Sequence, residues 1–80
     1  MSERLKELVA LCARQKLRRR WRTYRVGEGW HAEVQAGQAD ENWHCTGAFP
    51  LWGGDGDTEA EALDSAASHA ISYWSKPKGF

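Results

Sequence analysis

Along the first twenty residues, Leu5, Leu8, Val9 and Cys12 recur at i, i+3, i+4 and i+7 with charged side chains around them, the spacing that puts apolar groups on one helical face. This predicts an amphipathic helix over residues 2–20. Ser2 suits its N-cap, Glu3 lies in its first turn, and the arginines toward its far end suit the negative pole of the helix. The period then shortens to two. Residues 21–26 (W-R-T-Y-R-V) are aromatic and β-branched, Gly27-Glu28-Gly29 reads as a turn, and in residues 30–36 Trp30, Ala32 and Val34 alternate with His31, Glu33 and Gln35. The two segments form a hairpin with one buried and one wet face. After a polar connection, Trp43, Cys45 and Phe49 alternate with His44, Thr46 and Ala48, which predicts a third strand over 43–49 that ends at Pro50. Residues 51–57 (L-W-G-G-D-G-D) hold three glycines and two acids and read as a loop. Thr58 and Glu61 then form a capping box that opens a helix over 58–75, with Leu63, Ala66, Ala67, Ala70, Ile71 and Trp74 as its apolar stripe and Pro77 as its stop. The predicted fold is α+β, in the order α-β-β-β-α, with two helices on one face of a three-stranded antiparallel sheet. It is expected to form one domain over residues 1–80.

Composition adds tryptophan to this picture. Five of them, Trp21, Trp30, Trp43, Trp52 and Trp74, stand in 80 residues, and each can bury roughly 200 Å². A small core needs some of them as anchors and leaves others for display. Neither a signal-peptide pattern nor a run of membrane-spanning length occurs, so a cytoplasmic location and no membrane contact are expected. Cys12 and Cys45 form no C-x-x-C pair and are too few for a disulfide framework. Both are read as reduced, Cys12 as a buried helix residue, with a Cys12–Cys45 disulfide as the alternative.

Charge changes the picture most. The formal net charge is zero, yet residues 1–25 hold nine Arg and Lys against two acids, and residues 26–75 hold nine acids and no Arg or Lys. Lys16, Arg18, Arg19, Arg20, Arg22 and Arg25 fall around the end of the first helix and the first strand, where they could meet phosphate or an acidic protein surface. The plainer alternative is solvated charge paired with the acidic half. Trp52, beside flexible glycines, is a candidate for display to a partner, or for folding back over the core. Ser65, Ser68 and Ser72 make a small neutral helix face that would admit close approach of another helix.

Catalytic and metal chemistry finds little support. Asp55, Asp57 and Glu59 open like a calcium loop, but Ala60 and Ala66 stand where the loop needs glycine and a bidentate acid. His31, His44, Cys45 and Cys12 lack zinc-finger spacing. A Cys45 nucleophile with His31 or His69 as base has no oxyanion-hole pattern beside it. Gly53-Gly54-x-Gly56 lacks the lysine of a phosphate loop. No enzyme activity, cofactor or metal is expected.

The α-β-β-β-α order is similar to that of double-stranded-RNA-binding domains, which carry a lysine cluster at the start of the second helix. This chain has Asp57, Glu59, Glu61 and Asp64 there. W-H-A-E-V, W-H-C-T-G-A-F and T-E-A-E-A-L-D-S-A-A resemble, over about fifty residues, the β-β-β-α DNA-binding domains of plant ethylene-response factors and integrase arm-binding domains, whose sheets read the major groove with arginines and tryptophans. Here the corresponding strands offer His31, Glu33, Gln35, His44 and Thr46. In length and style the chain also resembles bacteriophage accessory proteins, the anti-CRISPR inhibitors among them. That likeness implies a non-enzymatic protein, phage-encoded and working in the host cytosol, that inhibits or modulates a host protein complex by stoichiometric docking, with Arg18, Arg19, Arg20, Arg22, Arg25 and Trp52 as contacts. The alternative is a nucleic-acid-binding module in which the same arginines grip phosphates while Trp21 or Tyr24 stacks on bases. A monomer or a weak homodimer, joined through basic and acidic halves, is expected.

Overall fold

The computed structural model describes residues 2–75. Pro77, expected to stop the last helix, and Lys76 and Lys78 lie outside the described residues. Two helices and three strands follow one another as α1 (Glu3–Gln15), β1 (Arg18–Val26), β2 (Gly29–Gly37), β3 (Leu51–Gly56) and α2 (Glu59–Trp74). The strands form an antiparallel sheet in the order β1-β2-β3. The α+β class and the element order therefore agree with the sequence reading.

α1 begins at Ser2, whose Oγ accepts the Leu5 N–H at 3.0 Å. It ends five residues before the expected Arg20. Lys16 turns left-handed at φ 56° and ψ 43°, the Leu17 N–H bonds the Cys12 carbonyl at 2.9 Å, and Leu17 is buried. These are the bond and the apolar contact of a Schellman C-terminus. A continued helix would carry Leu17 off the Leu5–Leu8–Cys12 face; the turn buries it and starts β1 three residues early, at Arg18. β1 and β2 pair from Arg18–Gly37 to Val26–Gly29 across a two-residue turn in which Gly27 has φ +60°, as a glycine-first hairpin turn requires.

The third strand is not the expected 43–49. Trp43 has φ 64°, outside the strand region. Asp40 Oδ1 accepts the Asn42 and His44 N–H groups, both at 2.9 Å, curling the chain so that Ala39 and Cys45 meet in one isolated bridge. Residues 38–50 are thus a folded connection, and His44 and Thr46 stand outside the sheet. β3 is instead the glycine-rich stretch expected to be a loop, paired from Trp30–Gly56 to Gln35–Leu51.

Glycine places that strand. A Cβ at Gly54 would run into the Ala66 backbone nitrogen and come within 2.8 Å of the Ala62 carbonyl oxygen and Ser65 Cβ; one at Gly56 would come within 2.5 Å of Glu61 Cβ. α2 therefore lies directly on the β3 backbone, and the small helix face containing Ser65 meets a strand instead of another helix. Thr58 Oγ1 accepts the Glu61 N–H at 3.2 Å, while the Glu61 carboxylate accepts from Asp57 N–H, one residue before the cap, at 3.3 Å.

The core joins Leu5, Leu8, Leu11, Cys12 and Leu17 to Ala32, Val34 and Ala36 of β2 and to Ala62, Leu63, Ala66, Ala67 and Ala70 of α2. Trp30, Trp52, Ile71 and Trp74 pack against its margin, and the Trp74 indole N–H donates to the Ala36 carbonyl at 2.9 Å. α2 lies across β2 and β3, whereas α1 packs against α2 and touches β1 only lightly. The helices are tied at Asp64 of α2, whose Oδ1 accepts from the Ser2 hydroxyl and, at 3.1 Å, from the Arg4 N–H. The Ser2 bond, then the Arg4 bond, holds the Asp64 carboxyl below the ordinary aspartate range.

Two expectations follow. Gly54→Ala, whose methyl meets backbone, should lose about 1–3 kcal/mol of stability, whereas Gly53→Ala, facing only the His31 ring at 3.2 Å, should change it by under about 1 kcal/mol; urea denaturation compares them. Because the folded-state pKa of Asp64 is depressed, its stabilisation is complete above the unfolded aspartate value of about 3.9 and is lost as pH falls through the lower folded value. Asp64→Asn should therefore lower Tm at pH 7 and shrink the wild-type fall in Tm between about pH 5 and pH 2.

Candidate interaction face

Directly opposed residues of an antiparallel pair share a face, so the register divides the five arginines. Arg18, Arg20, Arg22 and Tyr24 oppose Gly37, Gln35, Glu33 and His31 on the sheet face away from the helices. Arg19, Trp21 and Arg25 oppose Ala36, Val34 and Trp30 on the helix side, where β1 overhangs the helical layer and Trp21 remains 39% exposed. Arginines expected together are thus spread over both faces of one edge strand. Trp52, expected in a loop, opposes Val34 in β3, packs against the core and meets the Tyr73 ring at 5.5 Å. It is half-buried support for α2, and the displayed indoles are Trp21 and Trp43, 39% and 40% exposed.

Residues 38–50 lay an aromatic platform beside the open face. Trp43 and Phe49 stack at 6.0 Å and 16°. The Arg18 and Arg20 guanidinium carbons lie 5.4 and 5.3 Å from the Trp43 ring centre, within cation–π range. Arg20 is fixed further by Nε donating to Gln35 Oε1 at 2.8 Å, and Gln35 in turn donates to the Phe49 carbonyl at 2.9 Å. The spacing of Trp43 and Phe49 suggested a strand, and their service as a seat for arginines escaped the sequence reading. A tryptophan and a phenylalanine flanking a connection that returns to an arginine-bearing hairpin were the signal.

Farther along the face, Arg22 Nε donates to Glu33 Oε1 at 2.5 Å, which raises the guanidinium pKa through that hydrogen bond and the carboxylate charge. His31 hydrogen-bonds Asp55 through Nδ1 at 2.7 Å, and its Nε2 lies 3.8 Å from Glu33. Tyr24 sits on His31 with ring centres 5.3 Å apart. Arg25 on the opposite side covers Trp30 at 5.6 Å. Among the described residues, Arg22 pairs with a carboxylate, while Arg18, Arg19, Arg20 and Arg25 have no ion pair. A shallow recess of about 370 Å³ lies among Arg20, Trp21, Arg22, Glu33, Gln35 and Leu51.

Other candidate chemistry is dispersed. Asp55 meets His31 on the open face, while Glu59 accepts the Thr23 hydroxyl at 2.6 Å, so the acids of the calcium reading do not converge. Among the described residues, no three His, Cys, Asp or Glu side chains are grouped to hold a metal ion. Cys12 is buried and Cys45 exposed, both as free thiols; burial pushes the Cys12 thiol above its ordinary pKa, with Arg19 pulling it down. No hydrogen bond joins Cys45 to His31 or His69 among the described residues. No described helix is long and apolar enough to cross a membrane. Compared with protein-family models, curated proteins and solved structures, the chain finds no match.

The Arg20–Trp43 contact is open to direct measurement. A double-mutant cycle with Arg20→Ala and Trp43→Ala should give a coupling of about 0.5–1 kcal/mol in urea denaturation. Strict additivity would show that the ring does not hold the guanidinium.

Proposed function

We propose that this chain is a non-enzymatic binding protein whose basic, aromatic edge docks stoichiometrically onto an acidic protein surface, inhibiting or modulating the host complex that carries it. Small phage accessory inhibitors, which the chain resembles in length and style, act in this manner. The observation that carries the reading is the grouping of Arg18, Arg19, Arg20 and Arg25, without ion pairs among the described residues, with exposed Trp21, Tyr24 and Trp43 along one edge of the sheet, over both of its faces. Arg, Trp and Tyr are the side chains that dominate protein-interface energetics, and an exposed aromatic patch marks an interaction site.

A nucleic-acid role for the same residues is favoured by one feature, the exposure of Trp21 and Tyr24 at 39% and 42%, which would admit base stacking. Against it, Glu33 and Asp55 share the open face, and Arg18 and Arg20 already cover Trp43. A phosphate chain laid there would meet two carboxylates and an occupied ring.

Capture from the cell in which the protein acts, with nuclease present, is the test. The tagged wild type should retain a protein complex at fixed stoichiometry, and the Arg18→Glu, Arg19→Glu, Arg20→Glu triple variant, shown to be folded by circular dichroism, should lose it by about tenfold or more. Recovery of nucleic acid alone, with affinity falling steeply between low and physiological salt, would replace protein docking with the second reading.

A further inference from the structure

We infer that the outer edge of β1 accepts an extended acidic peptide as a fourth strand of the sheet, so that the docking proposed above, on which this inference rests, proceeds by strand addition. β1 runs nine residues, Arg18–Val26, against a common strand length of about five or six. It is the terminal strand beside β2, and α1 and α2 touch it only lightly. Among the described residues, no backbone hydrogen bond outside the β1–β2 pairing engages Arg18–Val26. The edge therefore offers a row of backbone donors and acceptors long enough to template a partner strand.

Charge selects the occupant. Five of the nine β1 residues are arginine and none is acidic. A second copy is disfavoured: the two-fold register pairing all nine residues sets Arg19 against Arg25 and Arg22 against its own copy, and like charges directly opposed repel. An acidic strand removes each of those repulsions, because no arginine then opposes another, and adds attraction wherever a carboxylate opposes an arginine. Carboxylates opposite Arg18 and Arg20 would meet guanidiniums already held over Trp43, so less side-chain freedom is lost on binding. Next to Arg20, on the other face, an apolar side chain opposite Trp21 would cover an indole that is 39% exposed. The edge thus favours acidic residues toward the open face, opposite Arg18 and Arg20, and an apolar one toward the helix side, opposite Trp21. A nucleic-acid strand satisfies it poorly, because phosphates and sugars cannot use a row that alternates N–H with C=O.

Fluorescence anisotropy tests this on the full chain with a labelled peptide of roughly nine residues alternating Glu and Val, long enough to span the edge. Four comparisons accompany it: a peptide with Lys for Glu, Glu/Val peptides N-methylated at alternate residues in either frame, the Arg18→Gln/Arg20→Gln variant, and a single-stranded DNA of equal charge. The Glu/Val peptide should bind, and the Lys peptide and the double variant should each weaken binding by about tenfold or more. N-methylation in one frame, removing the donors that face β1, should do the same while the other frame binds nearly as well. Equal binding by both N-methylated peptides would overturn strand addition yet leave charge-driven docking standing. No peptide binding, with capture of the protein complex retained, would also overturn strand addition alone, whereas DNA binding without peptide binding would remove both readings. Arg20 is exposed and Arg18 half-buried, and circular dichroism confirms that the double variant is folded.

Discussion

The approach of α2 to the bare backbone of β3 constrains everything else in this protein. Gly54 leaves Ala66 and Ala62 room to seat on the strand, and Gly56 does the same for Glu61. With small residues on both sides, helix and strand come close enough to exclude water without a bulky core. The largest fully buried side chains are accordingly only Leu5, Leu8, Val34 and Cys12. A helix drawn down over β3 and β2 cannot also cover β1. The tryptophans then divide by position: Trp30, Trp52 and Trp74 seal the margins of the covered area, and Trp21 stands beyond it.

This overhang is also where the cations collect. Had α1 run on through Arg20, its basic residues would have been spread around a helical surface. The left-handed turn at Lys16 instead sends them into an extended strand, where side chains alternate and successive arginines point to opposite faces. An edge strand needs protection against indiscriminate pairing, and charge of one sign supplies it. In the docking proposed above, the same arginines that would repel a second copy would attract carboxylates, so one device would serve both restraint and recognition.

The legible and illegible parts of the fold divide along physical lines. α1 and α2 were readable because their apolar spacing and caps are local, and the faces of β2 followed from strict alternation around Ala32 and Val34. β3 was unreadable because Gly53, Gly54 and Gly56 are strand residues only by virtue of the helix above them, and local propensity assigns glycine to loops. Residues 43–49 misled in the opposite sense: their alternation is real, but Asp40 curls the chain and Trp43 is left-handed. The arginines of the candidate site were visible as composition. Their division between two faces was not, since it depends on where α1 stops, and a lysine in place of the usual glycine hides that stop.

Net neutrality conceals an asymmetry in how the two signs of charge are used. The acids of the second half largely have partners within the fold: Asp64 at the start of α1, Glu59 with Thr23, Glu61 at the start of α2, Asp55 with His31, and Glu33 with Arg22. Two of these, Glu59 and Glu61, lie in the first turn of α2, where a helix favours negative charge. Arg18, Arg20 and Arg25 of β1 are instead seated on rings, over Trp43 and Trp30, which orient a guanidinium without neutralising it. Carboxylates committed to internal bonds and cations held in place by aromatic faces leave the strand edge basic, although the whole chain carries no net charge. At physiological salt, screening over about 8 Å keeps the distant acids from cancelling that local field, so a partner approaching β1 meets the arginines first.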